Sequence, residues 1–202
     1  VGDQNTRRGS LKIWQEPRQG MRYAIGADPA DSGVGGSRSA AIVVDARTLR
    51  HVATLAGFWE PYTFTRLLVE LGKRYNNAVI APERNNHGIS VVEGLSYLWK
   101  YPNIYRTRTK VGNTVRLGWI TNTETRHTML DNLRAAIADE SFFTQDEELV
   151  EELFTFEEDE SGKARAASGA RDDLPLATAI ALMARSQYPV VRRAYVTAPL
   201  SR

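Results

Sequence analysis

The sequence predicts an α/β domain built on a central mixed sheet flanked by helices. Two observations carry that reading. Three short apolar runs follow one another through brief turns between Arg22 and Trp59, and from Pro61 onward segments of helical period alternate with short apolar strands. Strands joined by short links form an antiparallel three-strand meander, whereas strands separated by a helix return parallel and are covered on both faces. Parallel strands gather their carboxyl ends on one edge of the sheet, where sites form.

Taken in order, residues 1–20 are polar, broken by Pro and Gly and without period, which reads as a linker remnant outside the fold. Residues 22–27 form a buried strand that stops at Asp28-Pro29, because proline has no N–H to give a ladder. A Gly- and Ser-rich loop at 31–39 leads to a strand at 40–44 and a third at 49–59, joined by the turn Asp45-Ala46-Arg47. Pro61 suits a helix first turn, and Phe64, Leu67, Leu68, Leu71 and Tyr75 recur on one face. Ala78-Val79-Ile80-Ala81 is wholly apolar and too short for a helix, hence a strand covered on both sides that ends at Pro82-Glu83. Val91, Val92, Leu95 and Leu98 mark a helix at 87–99, and a strand resumes at 104–109. Thr121 and Glu124 have capping-box spacing ahead of a helix whose Met129, Leu130, Leu133 and Ile137 share a face. Residues 146–156 fit either helix or strand, and 157–171 read as a loop. Residues 172–187 read as a helix, since Pro175 falls in the first turn. The expected domain is 21–190, with 191–202 a tail.

At 202 residues, 42% of them apolar, the chain can bury one proper core. Lys and Arg number 26 against 24 Asp and Glu, so the net charge of +2 demands no polyanionic partner by itself. The start, Val1-Gly2-Asp3-Gln4, lacks both an initiator Met and a signal pattern and reads as part of something longer. No apolar run reaches the ~20 residues of a membrane span, so no membrane partner is expected. With no cysteine there is no disulfide framework, thiol catalysis or Cys-containing zinc site; any metal chemistry must use carboxylates or histidines. A phosphate-cradling G-x-x-x-x-G-K-[ST] loop and a G-x-S-x-G serine elbow are both missing. His51, His87 and His127 are far apart and read as surface or capping residues, His87 being the closest to the acids discussed next.

Asp28 ends one strand, Glu83 ends another, and Asp172-Asp173 open the last helix. Each has an ordinary structural use taken singly: Asp-Pro is turn chemistry, and an Asp at a helix start is an N-cap. Taken together they ask for more, because Glu83 follows an apolar strand and is trailed by the polar run Arg84-Asn85-Asn86. Carboxylates brought within a few ångströms repel one another unless protonated or neutralised by a hard cation. Mg²⁺ or Mn²⁺ prefers such oxygen ligands, and two ions about 4 Å apart suit phosphodiester hydrolysis by water. Asp31, three residues past Asp28, is a further candidate whose ordinary use is turn chemistry in a Gly-rich loop.

Four short motifs then occur in one order: Ala27-Asp28-Pro29-Ala30; Ala81-Pro82-Glu83-Arg84-Asn85-Asn86; Arg116-Leu117-Gly118-Trp119 through Thr121 to Arg126; and Ala170-Arg171-Asp172-Asp173-Leu174 ahead of an Ala-rich helix. Together they resemble the nuclease domain of tailed-phage large terminase subunits over residues 22–187. The resemblance implies an RNase H-like, RuvC-like fold and a two-metal endonuclease, with Mg²⁺ or Mn²⁺, that cuts concatemeric viral DNA as packaging starts and stops. It also implies double-stranded DNA as substrate, an N-terminal ATPase domain outside this sequence, a portal and a small terminase subunit as partners, and the host cytoplasm as location. By the same resemblance Asp28 matches the first-strand acid, Glu83 the second, and Asp173 the helix acid with Asp172 beside it. Where that family often has His before the Asp pair this chain has Arg171, which points to a phosphate contact or an electrostatic brake on the acids.

A DNA track is argued from the residues themselves. Arg106, Arg108 and Lys110 alternate with Tyr105, Thr107 and Thr109, so in a strand all three cations share a face, and Arg116 continues the basic theme after the Gly112-Asn113 turn. Residues 104–120 thus read as a basic β-hairpin able to lie along or in a groove, although edge cations also guard against aggregation. Arg84 and Arg171 flank the acids and join this set. Two rival readings stand beside the nuclease. One is a catalytically idle DNA-binding or motor-docking module; the other is a phosphotransferase fragment, since residues 26–36 form a Gly-rich loop after a strand.

Overall fold

The computed structural model describes residues 9–30, 38–84, 87–108, 114–158, 164–166 and 171–188. Strands β2 (Tyr23–Asp28), β3 (Ser39–Asp45) and β4 (His51–Gly57) make the expected antiparallel meander. Helix α1 (Pro61–Arg74) then crosses back, and β5 (Val79–Pro82) pairs parallel to β2. The sheet order is β1-β4-β3-β2-β5, in which β1 (Ser10–Ile13) is an antiparallel edge strand on β4. That last pairing differs from the sequence expectation for this stretch. Four residues show too little period to reveal a strand, yet β4 offers an open edge and β1 fills it.

Both faces of the sheet are covered, as an apolar run of alternating residues requires. Tyr23, Ile25, Ala27, Ala41 and Val43 pack with Phe64, Leu68 and Leu71 of α1 on one side. Ala24, Ile42, Val44, Val79 and Ala81 face the other side, against α3 (Thr123–Ala138) and α5 (Asp173–Ala184). Helix α5 is apolar nearly all round, the pattern of a helix buried between layers. Gly26 lets it come close: a Cβ there would stand 2.1 Å from Ala177 O and 2.3 Å from Ala181 N.

Several boundaries differ from expectation, each for a local reason. The helix expected at 87–99 is α2 (His87–Glu93) followed by a π-helical turn, Gly94–Leu98, closed by Trp99 N–H to Gly94 O at 2.9 Å. The extra residue in that turn rotates Leu98 outward to 59% exposure, off the buried stripe where helical spacing put it. The cap of α3 is Asn122, not Thr121: Asn122 Oδ1 accepts from Thr125 N, and Thr125 Oγ1 accepts from Asn122 N. Its buried line runs through Met129, Leu130, Leu133 and Ala136, leaving Ile137 exposed. The ambiguous stretch is helix α4 (Glu147–Phe154). The expected loop after it contains a short hairpin, β8 (Phe156–Glu158) with β9 (Ala164–Ala166). The basic hairpin is present as β6 (Arg106–Arg108) with β7 (Val115–Leu117), and Trp119 beyond it bridges to Glu83. Among the described residues no helix is long and apolar enough to cross a membrane.

Candidate functional site

Strand period and helix rise together decide where the acids meet. Ala24 and Val79 face α5, so by alternation Gly26 and Asp28, and likewise Ala81 and Glu83, lie on that same face. Parallel pairing sets Ala27 beside Pro82, and Glu83 N–H donates to Ala27 O at 2.8 Å. Asp28 and Glu83 therefore end neighbouring strands, about 4.8 Å apart in the sheet direction. Helix α5 touches β2 where Ala177 meets Gly26. From that contact Asp28 is two strand residues onward, about 6.6 Å, and Asp173 is four helix residues back, about 6 Å. Asp173 is thereby carried to the end of the strand that bears Asp28.

The electrostatics agree with that construction. Burial, first, and then the charge of Glu83, a hydrogen bond between the Asp28 and Glu83 carboxyls, and the charges of Asp173 and Asp172 push the Asp28 carboxyl well above the usual range. Burial also raises Asp173; Arg38 opposes this by charge and hydrogen bond, while Asp172 adds to it. Asp172 stands at the N-cap position of α5, but its side chain makes no capping bond. Glu152 of α4 does that work instead, its Oε2 accepting from Leu174 N–H at 3.0 Å. The N-cap explanation for Asp172 thus fails, and its Oδ2 lies 4.0 Å from Arg126 Nη2.

Among the described residues no three acid or histidine side chains are grouped to hold one ion as they stand. Asp28 lies close enough to Glu83 to feel its charge, and Asp173 Oδ2 accepts from Arg38 Nε at 3.1 Å. The donor chemistry nevertheless fits a hard divalent cation. It is all oxygen and anionic, and its members repel one another, which is the charge state a cation relieves.

Of the basic residues, Arg106 and Arg108 are exposed and share a face of β6. Arg116 sits directly opposite Thr107 in the register, so it belongs to the other face; the expected single basic face is divided. Arg84 is half-buried beside Glu83, with its N–H to Trp119 O at 2.6 Å. Arg171 is exposed and lies over the Phe58 ring at 5.9 Å. Asp31 and Lys110 lie outside the described residues.

Sequence reasoning missed Arg38, Glu148 and Glu152. The one signal was the i,i+4 spacing of the two glutamates, which puts them on one helical face. It also misplaced His51, which is 1% exposed rather than at the surface. Its Nδ1 accepts from Thr144 Oγ1 at 2.7 Å while Nε2 faces Ala53 O at 3.0 Å.

No protein-family model and no curated protein matches the chain. Solved structures do. The large terminase nuclease of thermophilic phage G20c with bound magnesium superposes with a TM-score of 0.70 at 21% identity, covering 91% of this chain and 90% of that one. The same nuclease with bound cobalt gives the same figures. The large terminase nuclease domain of Thermus phage P74-26 superposes with a TM-score of 0.65 at 20% identity, covering 87% of this chain and 85% of its own. The fold is that of a large terminase nuclease domain. These terminase nuclease superpositions span most of the chain, 91% and 87% of it.

Proposed function

We propose that the chain is a divalent-metal-dependent DNA endonuclease that cuts double-stranded viral DNA during genome packaging. The observation that carries the reading is the convergence of Asp28, Glu83 and the Asp172-Asp173 pair at one end of a parallel strand pair, with a charge surplus that raises the first carboxyl. The terminase nuclease fold supports it. Asp28, Glu83, Asp173 and Asp172 would hold Mg²⁺ or Mn²⁺ as a two-metal site. The metals bound in the similar G20c nuclease, magnesium and cobalt among them, support a divalent ion here.

Bound there, such ions supply Lewis acidity toward a phosphodiester and a water of lowered pKa, so no side-chain nucleophile is required. The rest falls to the chain. Burial and the neighbouring acids raise the Asp28 carboxyl, so its proton would have to leave before it serves as a ligand, which makes loading pH-dependent. Arg84 and Arg171, next to the acids in sequence, would contact phosphates, and the exposed pair Arg106 and Arg108 would meet the DNA backbone. An N-terminal ATPase domain, a portal and a small terminase subunit complete the machine in this reading, which works in the host cytoplasm. The domain itself runs over 21–190, with β1 added at its edge.

A plasmid-nicking assay with Mg²⁺ and with Mn²⁺, run beside the Asp28→Asn protein, tests this. Nicking by the wild type that Asp28→Asn loses supports the assignment, and equal nicking by both proteins refutes it. Salt-dependent DNA binding with no cleavage in either ion would favour the idle DNA-binding or motor-docking module.

A further inference from the structure

We infer that Arg38 is a positioning residue for Asp173, a role that rests on the nuclease reading above. Arg38 sits one residue before β3 and is only 6% exposed, and a guanidinium so buried is tolerated only when its N–H arms are paired. They are. Nε donates to Asp173 Oδ2 at 3.1 Å, Nη1 donates to Glu148 Oε1, and Nη2 donates to Glu152 Oε1. Each glutamate is itself held by its second oxygen. Glu152 Oε2 accepts from Leu174 N–H at 3.0 Å, the backbone group next to Asp173, and Glu148 Oε2 accepts from Lys12 Nζ at 2.9 Å. The planar fork is thus fixed from two sides before it reaches Asp173.

Among the described residues Arg38 is the only hydrogen-bond donor to the Asp173 carboxylate, and it takes one oxygen, leaving Oδ1 for another partner. Without that bond Asp173 would face Asp172 and Asp28 with their repulsion unopposed, and would turn away from them. Glu148 and Glu152 already balance the charge of Arg38, so what it gives Asp173 is direction more than field. Its loss should therefore weaken cation binding, although removal of a positive charge alone would strengthen it. Outer partners of this kind are worth about 10- to 100-fold in metal affinity.

The test is Mn²⁺ binding by isothermal calorimetry on the whole chain, comparing wild type, Arg38→Gln, Arg38→Lys and the core variant Leu133→Ala. Arg38→Gln should bind Mn²⁺ at least about tenfold more weakly, with Arg38→Lys recovering part of the loss. Leu133→Ala, destabilised by a core cavity but outside the hydrogen-bond network of Arg38, should keep the wild-type affinity, which separates positioning from stability. Wild-type or tighter affinity in folded Arg38→Gln overturns the inference and leaves the nuclease reading standing; absence of Mn²⁺ binding in the wild type overturns both. If Arg38→Gln does not fold, Arg38→Lys decides, a threefold or greater weakening supporting the role and unchanged affinity overturning it.

Discussion

Asp28 and His51 are both buried titratable groups, and their stability effects have opposite signs. The folded Asp28 carboxyl has a raised pKa, so the native state holds a proton above the ordinary carboxylate range that the unfolded chain has released, and the metal-free protein gains stability as pH falls. Asp28→Asn removes that repulsion. It should fold with a Tm at pH 8 no lower than wild type while losing at least about 100-fold in DNA cleavage; a lowered Tm would instead make Asp28 a structural turn residue. His51 works the other way. Burial holds its pKa at about 4 against 6.5, so the unfolded chain takes up a proton first, and stability present above pH 6.5 is lost as pH falls toward 4. The full effect is about 3 kcal/mol. Chemical denaturation between pH 7 and 4 should show that decline in the wild type and a flatter one in His51→Asn, and equal slopes would mean the imidazole is not held neutral.

Helices and strands were legible where their period was long and their surroundings simple. The stripe of α1 follows from helical spacing and the strand at Ala78-Val79-Ile80-Ala81 from its unbroken apolar run, so Asp28 and Glu83 could each be set at a strand end; that those strands are neighbours is given only by the pairing of β2 with β5. What failed was decided by partners outside the window. Strand β1 exists because β4 has an edge to fill, and Leu98 turns outward because a π-helical residue is inserted before it. Gly26 shows how one element places another. Its alanine variant would set a Cβ 2.1 Å from Ala177 O, and helix backbone cannot yield as a side chain can, so α5 must shift and take Asp173 with it. Gly26→Ala should cost about 1–3 kcal/mol in denaturant unfolding and reduce cleavage further than that loss of folded protein explains. Full activity with full stability would show that the contact does not set the site.

Across the whole molecule the net charge of +2 is too small to bind DNA by itself, so under the proposed function the distribution of charge must supply that binding. Acids gather at the ends of β2, β5 and α5, and Arg84 and Arg171 border them. Alternation in the sequence was enough to pair Arg106 with Arg108. The face of Arg116 depends on hairpin register, which no spacing within one strand reveals. That register makes a prediction with an internal control. If DNA lies on the Arg106 and Arg108 face, each arginine removed deletes about one phosphate contact, and the slope of log affinity against log salt should fall by about 2 in the Arg106→Glu/Arg108→Glu protein. Arg116→Glu, on the opposite face, should leave the slope close to wild type. Both sets can be read by fluorescence anisotropy on a duplex between 50 and 200 mM salt without metal, where cleavage does not interfere. A slope lowered equally by Arg116→Glu would mean that DNA grips the hairpin from both sides. A slope changed by neither would move the track to Arg84, Arg171 and Arg126 beside the acids, which are exposed or half-buried cations bordering the site among the described residues.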